Sequence, residues 1–136
     1  TFFTDMKEVF SAMNMSCRDY DWLISDLETN GYPITEGWHT DTALSRSLQQ
    51  QNIQFIWAVF SAFPLGTRFE VNNPPTVEDN PNYWNSSNPT PQLDEALFEI
   101  ACWDSSATIL IGLSPAMAKS FRSTYTDTIE LKHAAR

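Results

Sequence analysis

The sequence predicts an α+β domain in which a mostly antiparallel sheet packs against two or three short helices. Strand-like alternation and helical spacing follow one another along 136 residues, which is the length of a single domain. Hydrophobic residues make up 42% of the chain and aromatic residues 13%, so a core can form without a disulfide framework or a structural metal. We therefore treat residues 1–136 as one domain.

Three segments have the pattern of helices. Apolar residues at three- and four-residue spacing predict short amphipathic helices over residues 4–13 and 41–48. Ser114 followed by Pro115 supplies an N-cap and a proline in the first turn, which is the clearest helix start in the sequence. These helices are expected to cover a sheet.

Strand patterns lie between the helices. Residues 53–60 are β-branched and aromatic on both alternating faces, which predicts a central strand that is covered on both sides. Two runs separated by Asp104-Ser105-Ser106 predict a hairpin. The predicted hairpin strands are 96–103 and 107–113, and the other predicted strands are 20–24 and, as short segments, 67–71 and 128–131.

Residues 72–94 predict a long loop rich in proline and asparagine. They contain five of the eight prolines and six asparagines, and few large apolar side chains. Loops of this length without regular structure are uncommon in compact domains and are either disordered or functional. The aromatic pair Tyr83 and Trp84 favours a functional loop.

The charge distribution bears on the class of partner. Seventeen acidic and eight basic residues give a net charge of −9, which disfavours nucleic acids and anionic membranes as partners. Thirteen of the acids lie in two stretches without a base, between Arg18 and Arg46 and between Arg68 and Lys119. Either the protein is generally acidic, or the acids of the loop join its aromatics in a patch that binds a basic protein. The candidate partner-binding residues are Glu78, Asp79, Tyr83, Trp84, Asp94 and Glu95.

No segment has the pattern of a catalytic, metal or cofactor site. The four glycines form no phosphate-binding loop, and no G-x-S-x-G nucleophile motif is present. Paired carboxylates such as Asp19-x-Asp21 lie at predicted turns, where solvated charge is the ordinary explanation. We therefore expect no enzyme, metal or cofactor. The alternatives are a small hydrolase or nucleotide-modifying enzyme that uses loop carboxylates with His39, and an acidic regulatory subunit.

Two cysteines, Cys17 and Cys102, bear on the compartment. They lie far apart and form no metal-binding spacing, so we expect two buried free thiols in a reducing cytoplasm. A single disulfide in a secreted domain is the alternative. The longest nearly uncharged stretch, 101–117, is too short and too polar to span a bilayer, so no membrane association is expected.

Three segments carry a resemblance to a known family. They are Tyr20-Asp21-Trp22-Leu23-Ile24, a strand ending in Phe63-Pro64-Leu65-Gly66, and the hairpin over 98–113 that is followed by a short helix. Their layout resembles small bacterial proteins that accompany polymorphic toxins, in particular immunity proteins of contact-dependent growth inhibition systems. The resemblance implies a cytoplasmic protein that binds one cognate toxin domain, often a nuclease, and blocks its activity. It identifies no binding residue.

Overall fold

The computed structural model describes residues 5–50, 52–78, 83 and 89–131. Its helices are α1 (Met6–Ala12), α2 (Asp41–Gln50) and α3 (Pro115–Thr124), and its strands are β1 (Asp21–Thr29), β2 (Gly37–His39), β3 (Phe55–Phe63), β4 (Phe98–Trp103) and β5 (Ala107–Ile111). All neighbouring strands are antiparallel, in the order β2-β1-β3-β4-β5. The predicted α+β class is therefore confirmed, and β3 is the central strand as its apolar pattern predicts.

One face of the sheet carries the larger core. The register places Ile24, Phe60 and Ile100 side by side on this face, because side chains alternate between faces along a strand. All three are fully buried in a cluster that includes residues of all three helices. The helices supply Met6, Val9, Phe10, Leu44, Leu48 and Phe121 to it. Helical spacing in the sequence thus identifies the helix faces that pack on the sheet.

Local capping groups fix where the helices begin. The Asp5 side chain accepts a hydrogen bond from Lys7 N at the start of α1, and the Ser114 side chain accepts one from Met117 N at the start of α3. Pro115 occupies the first turn of α3, where its missing N–H costs no helical hydrogen bond. The start predicted at Ser114 and Pro115 is confirmed.

The chain between β3 and β4, residues 64–97, is here called the β3–β4 connection, and its described residues cover the other face of the sheet. Val77 and Tyr83 from this connection are fully buried in a second cluster that includes Val59, Ala101 and Ile109 from the strands. No α-helix or strand occurs among its described residues. The long loop predicted over 72–94 is therefore a layer of the domain in its described part.

Three strand predictions need correction. Residues 67–71 form no strand, because Phe69 O accepts a hydrogen bond from Trp38 Nε1 and the ring of Phe69 packs on that of Trp38. Residues 128–131 form no strand either, since Thr128 N bonds back to Tyr125 O in a turn after α3. The strand predicted over 20–24 continues to Thr29, and β2, which no strand pattern predicts, pairs with its first half.

Candidate functional site

A bulge in β1 places two acidic residues at the surface beside the β3–β4 connection. Ser25 pairs with Val59 and Glu28 with Trp57, so β1 has one extra residue between these pairs. Asp26 within the bulge has a positive φ of 52°, a conformation that Asp tolerates better than most residues. The bulge therefore turns the chain locally and interrupts the regular alternation of side chains.

Hydrogen bonds from two other segments hold the bulge. Asp26 Oδ2 accepts a hydrogen bond of 2.8 Å from Val77 N in the β3–β4 connection. Leu27 N donates one of 2.8 Å to Glu36 Oε1. The first bond fixes the β3–β4 connection against β1, and the second gives a partner to a backbone N–H within the bulge.

A surface cleft of about 290 Å³ opens at this junction, here called the acidic cleft. Among the described residues, its lining includes three acids, one leucine and one tryptophan: Asp26, Leu27, Glu28, Trp57 and Glu78. Glu28 and Trp57 face each other across the β1–β3 pair. The half-buried Trp57 ring packs edge-on against Trp103, with ring centroids 5.2 Å apart. The cleft thus combines negative charge with an anchored aromatic surface.

The predicted partner-binding residues fall into separate groups. Glu78 is exposed and lines the acidic cleft, whereas Asp94 and Glu95 are exposed near the end of the β3–β4 connection and do not line it. Asp79 and Trp84 lie outside the described residues, so their assignment stays a prediction. The structure therefore brings Glu78 together with Asp26 and Glu28 of β1 rather than with the other acids of its own loop.

Tyr83 requires a correction. A partner anchor must be reachable at the surface, but the Tyr83 side chain is fully buried. Its hydroxyl donates a hydrogen bond of 2.5 Å to Glu99 Oε2, and its ring packs in the second core cluster. The expectation of an exposed Tyr83 is wrong because the connection turns this ring toward the sheet.

Glu99 is the buried acceptor of a polar network. This glutamate of β4 is fully buried, and its carboxylate accepts hydrogen bonds from Gln92 N, Gln92 Nε2 and Tyr83 Oη. The Gln92 side chain also exchanges two hydrogen bonds with the backbone of Thr76. The network joins three separate points of the β3–β4 connection to one strand residue.

A second buried carboxylate, Asp21, lies at the opposite end of β1. Its exposure is only 5%, so the expectation that Asp21 is solvated is wrong. The carboxylate accepts hydrogen bonds from Gly66 N at 2.8 Å, Arg68 Nη1 at 2.8 Å and Asp41 N at 3.3 Å. Burial by itself would raise the pKa of Asp21, but these hydrogen bonds and the Arg68 charge outweigh burial and lower the pKa below 3.8.

Trp38 of β2 belongs to the same structural region as Asp21. Its ring packs on Phe63 and Phe69 at centroid distances of 5.0 and 5.3 Å. The Arg68 guanidinium lies 5.2 Å from the Trp38 ring centroid. Trp38 therefore joins β2 to the start of the β3–β4 connection.

Sequence reasoning missed Asp26, Glu28 and Trp57 as members of a site. The predicted strand over 20–24 stops short of Asp26 and Glu28, and the central strand predicted over 53–60 implies a covered Trp57, whereas this residue is only half-buried. The available sequence signal is two acids, Asp26 and Glu28, spaced two residues apart just after a predicted strand. Only the strand register shows that Glu28 lies opposite Trp57.

The remaining groups considered for chemistry lie apart from the acidic cleft. His39 pairs with Trp22 near the start of β1, and its Nε2 lies 2.6 Å from Thr35 O. Within residues 5–50, 52–78, 83 and 89–131, no group of three or more His, Cys, Asp and Glu side chains is arranged to hold a metal ion. Over the same residues, no helix has the length and apolar character needed to cross a membrane.

No protein-family model matches the chain, and no curated protein or solved structure shows significant similarity to it.

Proposed function

We propose that the protein is an immunity protein that binds a basic bacterial toxin domain in the cytoplasm and blocks its activity. The observation that carries the proposal is the acidic cleft, which Asp26, Glu28 and Glu78 line together with the half-buried Trp57. The partner class comes from the resemblance of the sequence to immunity proteins of contact-dependent growth inhibition systems. The cleft is the surface on which that partner is expected to dock.

Electrostatics favour a basic partner. The net charge of −9 attracts a cationic protein at long range, and complementary charges raise association rates more than they raise affinity. A nuclease fits this description, because its active-site surface is built to bind phosphates. Carboxylates of the acidic cleft would then occupy the positions of those phosphates and exclude the nucleic acid.

Trp57 supplies the short-range part of the interaction. Tryptophan is enriched among the residues that dominate binding energy, and a cation over its ring adds about 0.5–2 kcal/mol. The contact with Trp103 holds the ring in place before binding. An arginine or lysine of the partner could therefore contact the ring and a carboxylate together.

The test is binding to the toxin domain encoded beside the gene. Cells that express this toxin should survive when the protein is co-expressed, and the purified proteins should form a complex whose association slows as salt rises. The double variant Glu28→Gln/Glu78→Gln should associate about tenfold more slowly and with a weaker salt dependence.

The matched control is Asp94→Asn/Glu95→Gln, which removes the same charge from exposed residues outside the acidic cleft. We expect a much smaller change in the association rate for this variant. Equal slowing by the two double variants would contradict a role for the cleft, and a toxin that neither binds nor is inhibited would contradict the proposed function.

A further inference from the structure

Glu99 occupies a position that a hydrophobic residue would ordinarily fill. It lies on β4 beside β3 and β5, and its side chain is fully buried. A buried carboxylate destabilises the fold unless hydrogen bonds replace its lost hydration. Glu99 has three such bonds, of 2.8 Å from Gln92 N, 3.2 Å from Gln92 Nε2 and 2.5 Å from Tyr83 Oη.

All three donors belong to the β3–β4 connection. Apolar packing alone could hold a covering segment on the sheet, but it would fix the position of that segment less strictly than directional hydrogen bonds do. Gln92 carries the constraint further, because its side chain bonds Thr76 N at 3.1 Å and Thr76 O at 2.9 Å. The carboxylate of Glu99 thus fixes the chain at residues 76, 83 and 92.

Glu78 of the acidic cleft lies two residues after Thr76. The backbone before it is held on one side by the Glu99 network at Thr76 and on the other by the bond from Val77 N to Asp26 Oδ2. Asp26 itself lines the cleft. The distance between Glu78 and the acids of β1 therefore depends on where the network places residue 76.

We propose that Glu99 is a positioning residue that sets Glu78 in the acidic cleft through Gln92 and Thr76, and so prepares the cleft for a cationic group of a protein partner. The proposal rests on the proposed function for its partner, but the arrangement it describes exists in the free protein. Its tests therefore use the protein alone.

The first test is amide hydrogen exchange in Glu99→Gln. An amide side chain of the same size can accept at only one of the two oxygen positions, so at least one donor loses its partner. We expect the amides of Thr76 and Gln92 to exchange about tenfold faster, with little change in the β3–β4 ladder. The control is Glu95→Gln, which removes an exposed charge three residues from Gln92.

The second test measures how Glu78 acts on Trp57. Caesium ion quenches tryptophan fluorescence on contact, and a carboxylate beside Trp57 raises the local caesium concentration. The Trp57 signal is the part of the quenching that Trp57→Phe removes. In the otherwise unchanged protein, Glu78→Gln should lower the Trp57 share of the quenching about two- to threefold. In a protein that already carries Glu99→Gln, the same substitution should have little effect, because Glu78 is then displaced from the cleft.

The outcomes separate the proposal from a general effect on stability. Unchanged exchange at Thr76 and Gln92 would overturn it, and so would an equal effect of Glu78→Gln on caesium quenching in both backgrounds. If Glu99→Gln speeds exchange throughout the sheet, Gln92→Leu replaces it, because this variant removes the side-chain link to Thr76 and leaves the Glu99 carboxylate and its bond from Gln92 N in place. The criteria are then faster exchange at Thr76 and loss of the effect of Glu78→Gln on caesium quenching. A protein that meets both criteria but binds no toxin would contradict the proposed function alone.

Discussion

Asp21 is a buried residue whose three donors come from three different parts of the chain. Gly66 N and Arg68 Nη1 belong to the start of the β3–β4 connection, and Asp41 N belongs to the first turn of α2. The carboxylate thus joins β1 to the layers on both faces of the sheet. At the residue scale, buried acids of this kind define where the layers attach.

We expect Asp21→Asn to destabilise the protein by about 1–3 kcal/mol, because an amide cannot accept all the hydrogen bonds that the carboxylate receives. The contribution should also depend on pH. Since the pKa of Asp21 is lower in the folded state than 3.8, its stabilisation is complete above about pH 4 and is lost as the pH falls through the folded pKa. Chemical denaturation between about pH 2 and about pH 6, roughly two pH units to either side of the ordinary Asp pKa of about 4, measures this.

The control for this prediction is Asp94→Asn, since Asp94 is an exposed carboxylate. It should change the free energy of unfolding by less than about 0.5 kcal/mol. A variant Asp21→Asn that loses stability in acid as steeply as the unmodified protein would contradict the assignment.

The two cysteines give a second prediction at the residue scale. Both are buried and free in the structure, and burial raises the pKa of Cys17 and raises that of Cys102 to about 12. Because the thiolate is the reactive form, both thiols should react slowly with a disulfide reagent in the folded protein. Two equivalents should react after denaturation without reductant, whereas none would react if the cysteines were joined in a disulfide.

At the scale of elements, the start of α3 can be predicted from the sequence, whereas the packing of the turn before it cannot. Ser114 and Pro115 mark the helix start in the sequence itself, because capping is a local interaction. Gly112, in the turn that leads from β5 to α3, has a φ of +84° and approaches Leu97 and Pro91 of the β3–β4 connection. That close approach is a tertiary contact.

We expect Gly112→Ala to destabilise the fold more than a glycine substitution in open space. A Cβ at this position would lie 3.2 Å from both Leu97 O and Pro91 Cγ. Gly31→Ala is the matched control, because Gly31 also has a positive φ, +98°, but has nothing within 4 Å of a Cβ. Urea denaturation should show that Gly112→Ala costs about 1–3 kcal/mol more than Gly31→Ala. Equal losses in the free energy of unfolding would contradict this prediction, because they would mean that Leu97 and Pro91 move away from the added methyl group without measurable cost.

The burial of Tyr83 and Glu99 could not be predicted from local sequence patterns. An aromatic residue in a polar, proline-rich segment has the same local pattern whether it faces a partner or its own sheet. The pattern of 72–94 predicts a loop but gives no direction for its side chains. Glu99 likewise shows no sign of burial in sequence, because its donors at 83 and 92 are loop residues whose position depends on the packing of the connection.

For the whole molecule, the charge of −9 predicts its behaviour toward nucleic acid. Affinity for DNA and RNA comes largely from basic groups that neutralise phosphates, and acids outnumber bases by seventeen to eight. We expect no retardation of a random DNA duplex or a single-stranded RNA in a gel-shift assay at low salt. Retardation at micromolar protein, abolished by moderate salt, would contradict this prediction.

The sequence by itself determined the α+β class, the central position of β3, the three helices and the hairpin of β4 and β5. These features depend on periodicity, capping and turn residues, which act between neighbours along the chain. Only the tertiary structure decided that the β3–β4 connection covers the second face, that Tyr83 and Glu99 are buried together, and that Glu78 meets Asp26 and Glu28 beside Trp57. The physical reason is that strand register and the packing of a long connection join residues far apart in sequence, and no local pattern encodes those pairings.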